Sequence, residues 1–159
     1  MKQFFKSFII FILIALLFTK SNAQEKIKSG FYFLAEKKGE SISAMDADST
    51  TAFAIEKNIA LGVKDFSYAR RTTLNTEMIP KECIEIRFTK PGMKKWFFIK
   101  KRCVKTKESV VFIIDNKIFC TYSFYFNRSF NNSTIYLILR KQYLEKVFEM
   151  LNIEITERK

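Results

Sequence analysis

The pattern of apolar and polar positions is organised around residues 110–122. Val110-Val111-Phe112-Ile113-Ile114 is an unbroken β-branched and aromatic run, the signature of a strand buried on both faces. Asp115-Asn116 follows it. Both residues tolerate the left-handed backbone that a two-residue hairpin turn requires. Ile118-Phe119-Cys120-Thr121-Tyr122 then reads as the antiparallel return strand.

Residues 30–36 (GFYFLAE) have strand-like aromatic density, followed by a turn at 37–40 and a short returning strand at 41–44. Residues 51–56 are a further strand, 59–63 a short apolar segment, and 66–71 a strand with Phe66, Tyr68 and Arg70 on one side. The polar stretch 72–81 contains Pro80 and reads as a link between two lobes. Residues 83–88 alternate apolar and charged side chains, as a half-buried strand does. Thr89-Lys90-Pro91-Gly92 marks a helix start, with Pro91 suited to the first turn. Met93, Trp96, Phe97 and Cys103 then share the expected inner face, and Lys94, Lys95, Lys101 and Arg102 the outer one. Residues 134–139 predict a strand. Leu144, Val147, Phe148 and Leu151 recur at helical spacing within 140–151, and 153–155 reads as a last short strand.

The order strand, helix, hairpin, strand, helix predicts an α+β fold, with two helices on one face of a mostly antiparallel sheet. The expected organisation is a leader at 1–23, a small N-terminal β lobe and linker at 24–80, and the α+β domain at 81–159. Lys2 and Lys6 precede an apolar run from Phe8 to Phe18, and Ser21-Asn22-Ala23 supplies a small-residue cleavage site. An apolar run of about eleven residues is short against the roughly 20 that span a bilayer. The expectation is export, with a periplasmic or extracellular chain after cleavage near Ala23.

The sequence has 28 basic and 16 acidic side chains and a net charge of +12. The expected leader holds three lysines and no acid, so the remainder stays near +9. Such a balance favours polyanions or anionic membrane surfaces. The basic residues cluster at Lys94-Lys95 and Lys100-Lys101-Arg102.

Histidine is absent and no C-x-x-C occurs. His-dependent triads, imidazole acid–base chemistry and the usual zinc ligand sets are thereby excluded. No metal and no cofactor are expected. Asp46-Ala47-Asp48-Ser49-Thr50 offers two acids and two hydroxyls, but no Gly or later Glu completes a calcium loop, and a solvated turn is expected. Of the cysteines Cys83, Cys103 and Cys120, either one pair bonds and one thiol stays free, or all three are buried thiols.

Two stretches carry a family resemblance. Ile84-Glu85-Ile86-Arg87-Phe88-Thr89, followed by Pro91-Gly92-Met93-Lys94-Lys95-Trp96, resembles a strand, Thr, Gly and helix start. Val110 to Ile118 resembles an apolar strand, Asp, turn and return strand. With the closing helix and the upstream segment 53–66, these resemble the head subdomain of the first periplasmic domain of SecD/SecDF, an accessory subunit of bacterial protein export. Asn116 stands where that family has Gly, and Phe130-Asn131-Asn132-Ser133 replaces a Gly-rich stretch. No run here matches the family's membrane helices.

The resemblance implies a ferredoxin-like head and a non-enzymatic module that contacts unfolded polypeptide or an envelope partner. Tyr122, Phe124, Tyr125 and Phe126 are the implied contact residues. The implied strand order would also make Cys83 and Cys120 neighbours and the preferred disulfide. The alternative is a basic protein that binds a polyanion or an anionic membrane surface through Lys94, Lys95, Lys100, Lys101 and Arg102. Nucleic acid is the less expected of such partners. A catalytic carboxylate pair drawn from Asp46, Asp48, Glu82 or Glu85 has no spacing to recommend it.

Overall fold

A computed structural model describes residues 26–35, 41–75, 80–124 and 133–157. The expected leader, the 37–40 turn, Tyr125 and Phe126 lie outside these residues. The described elements are β1 (Gly30–Phe33), β2 (Ser41–Asp46), β3 (Ala52–Glu56), β4 (Leu61–Gly62), a 3-10 turn (Val63–Asp65), β5 (Phe66–Asn75) and β6 (Pro80–Phe88). They continue with α1 (Lys90–Thr106), β7 (Ser109–Ile114), β8 (Lys117–Ser123), β9 (Thr134–Leu137) and α2 (Lys141–Thr156). The fold is α+β, with two helices and curled, mostly antiparallel sheets among the described residues.

The central hairpin forms as its sequence dictates. Asp115 and Asn116 have φ of 50° and 61°, the left-handed pair of a type I′ turn. Asn116 does more than turn the chain, because its Oδ1 accepts the Ile27 N–H at 2.7 Å. Glycine could supply the backbone here but not that acceptor.

β7 is hydrogen-bonded to β8 on one side and to β1 on the other. The full order of this sheet is β3-β2-β8-β7-β1-β4, with β2 parallel to β8. Beyond β1, Leu34 bridges Ile55 and the Ala35 N–H donates to the Ala54 carbonyl at 2.9 Å. The sheet therefore curls until the end of β1 reaches β3. Alternation along β1 and β7 sorts side chains into two cores. Phe31, Phe33, Val110, Phe112 and Ile114 face one core, together with α1, α2 and the second sheet. Tyr32, Val111 and Ile113 face a smaller core with Ile27, Ala44, Ile55 and Ile118.

The second sheet has the order β5-β6-β9. β5 and β6 form one long antiparallel hairpin from Phe66↔Phe88 to Asn75↔Pro80, so the expected 72–81 link is largely strand. Pro80 is tolerated as the first residue of its strand. Strands from either side of residue 80 are interleaved: β1 and β4 sit with β7, and β5 sits with β6. β2 does not return along β1; it pairs with β3 and β8. Residues 153–155 continue α2, because Ile155 extends the buried row of Leu144, Val147 and Leu151.

The implied strand order is not the one found. β6 is bonded to β5 and β9, while β8 is bonded to β7 and β2. The Cys83–Cys120 pairing loses its strand adjacency, and Cys83, Cys103 and Cys120 are all free thiols.

Phe112 is fully buried beside its cross-strand neighbour Phe31 on β1, with ring centroids 5.1 Å apart. Phe112→Ala should lower unfolding stability by about 3–5 kcal/mol. Phe98→Ala, at an exposed helix position, should change it by no more than about 0.5 kcal/mol. Urea unfolding of both variants checks this; equal losses would refute the burial assigned to Phe112.

Candidate functional site

α1 has the sequence KPGMKKWFFIKKRCVKT, with seven basic residues and no acid. Thr89 caps it, its Oγ1 accepting the Gly92 N–H at 3.2 Å. One side of the helix is buried through Gly92, Trp96, Ile99 and Cys103. Trp96 lies among Phe31, Phe88, Tyr122 and Phe124, with ring centroids 5.2–6.4 Å away. With 3.6 residues per turn, this fixes what faces outward. Lys90, Lys94, Phe97, Phe98, Lys101 and Lys105 are exposed, all within about 100° of one side of the helix.

Phe97 and Phe98 are the centre of that stripe. They are 49% and 66% exposed, and their rings pack edge to face at 5.9 Å. Phe97 was expected on the inner face with Trp96, but it lies about 100° further round the helix. The signal that finds the pair is the buried triplet Trp96, Ile99 and Cys103, which leaves no inward room for positions 97 and 98.

The basic residues divide into two groups. Lys95 donates from Nζ to both carboxylate oxygens of Asp65 at 2.9 Å. Asp65 is 4% exposed; its Oδ2 also accepts the Gly62 N–H, and its carbonyl accepts the Thr89 N–H. Lys95 is thus a structural cation, since an unpaired buried carboxylate is costly. Gly92 is required beside it, because a Cβ there would lie 2.3 Å from the Asp65 carbonyl. Arg102 is held by Glu108 at 2.6 Å and by Glu56, and its guanidinium sits 3.8 Å over the Phe33 ring. Lys95 and Arg102 therefore serve the fold, whereas both were expected on the outer face. Lys100 is half-buried, and burial pushes its ammonium below the ordinary lysine range. Lys94 and Lys101 stand outward as expected.

The aromatic residues implied as polypeptide contacts are placed differently. Tyr122 is half-buried, donates its hydroxyl to the Tyr136 carbonyl at 2.8 Å and packs on Phe31 and Trp96. Burial raises its phenol well above the ordinary tyrosine range. Phe124 stacks on Tyr122 and meets Trp96 edge to face. Both belong to the larger core rather than to an exposed patch.

The carboxylates weighed for catalysis are dispersed. Asp46 accepts from Thr50 and Thr51 within its own turn. Asp48 pairs with Arg140 and Tyr143, Glu82 with Arg71 at 3.7 Å and Glu85 with Arg70 at 2.7 Å. Among the described residues, no group of three or more Cys, Asp and Glu side chains gathers to hold a metal ion. A hollow of about 480 Å³ lies beside Ile27, Ser29, Asp115, Met150 and Glu154; the Ser29 hydroxyl donates to the Glu154 carboxylate there.

No helix among the described residues is long and apolar enough to cross a membrane. The chain matches no family model, no curated protein and no solved structure.

Two outcomes follow from these environments. Burial pushes the Cys103 thiol up to about 11 and the Cys120 thiol to about 12, and raises Cys83 as well. The native chain should resist a thiol reagent at neutral pH, and the denatured, unreduced chain should show three reactive thiols. A single thiol would reinstate a disulfide. Separately, the Arg102 guanidinium holds the Glu108 carboxyl below the usual carboxylate range. Its stabilising effect is complete above the unfolded pKa of about 4.3 and is lost as pH falls through the lower folded value. Glu108→Gln should therefore cost stability at neutral pH and little below about pH 3, measured by urea unfolding across that range.

Proposed function

We propose that this chain is a non-catalytic binding protein that docks on an anionic partner through the outer face of α1. The carrying observation is the sorting of charge on that helix. Lys95 and Arg102 are matched by buried or half-buried carboxylates, while Lys90, Lys94, Lys101 and Lys105 stand exposed on one side with no acid in the helix. A helix needs no such one-signed row for its own stability; like charges at i and i+4 destabilise it slightly. The row spans about 22 Å at 1.5 Å per residue, long enough to engage an extended or planar partner.

Kinship with the SecD head enters this proposal through element order and two ladders. β6, α1, β7, β8, β9 and α2 follow the strand, helix, hairpin, strand, helix sequence. The antiparallel β6–β9 and β7–β8 ladders are of the kind such a head uses, but they lie in separate sheets and β6 beside β8 is not among the pairings. Contact with unfolded polypeptide draws less support, because Tyr122 and Phe124 are occupied in the core. Export of the chain remains part of the proposal and rests on the leader pattern alone.

Retention on immobilised heparin under a salt gradient tests the charge reading. Lys94→Glu/Lys101→Glu should elute at clearly lower salt, with affinity reduced roughly tenfold or more at about 1 kcal/mol per lysine. Lys81→Glu/Lys146→Glu changes net charge equally at exposed sites on β6 and α2 and should elute near the parent. Equal shifts for the two double variants would show that net charge, not this face, binds.

A further inference from the structure

We propose that the anionic partner is a lipid bilayer surface, with Phe97 and Phe98 as the apolar wedge that enters it. This rests on the charge reading above and adds the occupant.

The argument begins with where α1 spends its aromatics. Trp96 is buried on the inner side, and the larger core is closed without Phe97 or Phe98. Two large apolar side chains held side by side in water gain little for the fold. Their burial elsewhere would be favourable, since apolar area removed from water stabilises in proportion to its size. The rings meet edge to face, so they project as one compact knob rather than as two open faces. Successive nucleobases stack on separate ring faces, and a compact knob suits a bilayer interface better.

Charge placement makes the same distinction. Lys90 and Lys94 lie on one side of the knob along the helix, and Lys101 and Lys105 on the other. A straight helix resting flat on a plane would bring the knob and both lysine pairs to the surface together. Phenylalanines would sit at the boundary between headgroups and acyl chains, with lysine ammonium groups at the phosphates. The lysines flank the knob symmetrically, and α1 holds no carboxylate for anionic headgroups to repel. Within the fold, the buried face of α1 is anchored by Trp96, Ile99 and Cys103 and by the Lys95–Asp65 pair. The outer face can therefore meet a membrane with no rearrangement of the core.

The test uses the full chain, so that any contribution of its N-terminal apolar run is common to all variants. Phe98→Trp places a reporter on the wedge. With phosphatidylglycerol–phosphatidylcholine vesicles its emission should shift to the blue and be quenched by brominated lipid. With phosphatidylcholine vesicles alone it should stay quenchable by aqueous iodide. Phe97→Ser/Phe98→Ser should weaken binding to the anionic vesicles by about tenfold or more, while its heparin elution stays at the parent position. An aqueous position 98 on anionic vesicles, or undiminished vesicle binding by the double serine variant, would overturn the proposal. So would loss of heparin or oligodeoxythymidine binding in that variant, which would mark the rings as contacts for a polymer. Failure of the charge reading is separable: it would show as heparin retention indifferent to Lys94 and Lys101, whatever position 98 reports.

Discussion

Because Val110, Phe112 and Ile114 face one core while Val111 and Ile113 face the other, β7 cannot be exposed on either side, and everything else in the fold must supply its two covers. β1 shares the constraint, with Phe31 and Phe33 on one face and Tyr32 on the other. The curl of the six-stranded sheet back to β3 covers one face. The second sheet and both helices cover the other. Burying the five apolar side chains of β7 at about 1.5–3 kcal/mol each makes this strand a large apolar contribution to stability from a single element.

That constraint also fixes α1. Its inner face must present Trp96, Ile99 and Cys103 to the larger core. The start of the helix is locked by the Asp65 backbone carbonyl, which accepts from the Thr89 backbone and hydroxyl, and by Lys95 on the Asp65 carboxylate. Its end is held by Arg102 between Glu56 and Glu108. With rotation and both ends set, the remaining residues have no choice of direction. The lysine row and the phenylalanine pair are outward because the core admits nothing else from this helix.

Local elements were legible where composition encodes them directly. The β7–β8 hairpin follows from an apolar run, two left-handed residues and a return strand. The start of α1 follows from Thr89, Pro91 and Gly92. What was not legible depends on contacts distant in sequence. The interleaving of β1–β4 with β7 and β8 has no local signature, since strand pairing is decided by shared cores. The β5–β6 hairpin was hidden by polar residues, because Thr73 and Asn75 face solvent on a strand that needs little apolar density. Ile153-Glu154-Ile155 alternates like a strand, yet Ile155 falls four residues after Leu151 on the buried helical row, and that longer period prevails. For the site, Lys94 and Lys101 could be placed from spacing. The internal roles of Lys95 and Arg102 could not, because Asp65, Glu56 and Glu108 reach them only through the fold. Phe97, apolar and next to Trp96, invites an inward reading, yet it stands outward on the helix.

The most direct measurement is residue-resolved NMR of the isotope-labelled chain with and without anionic bicelles. The account predicts that broadening and shift changes concentrate at Lys90, Lys94, Phe97, Phe98, Lys101 and Lys105, with β7 and the inner face of α1 unchanged. Perturbation centred instead on β8 around Tyr122 and Phe124, or on the exposed side of α2, would contradict it.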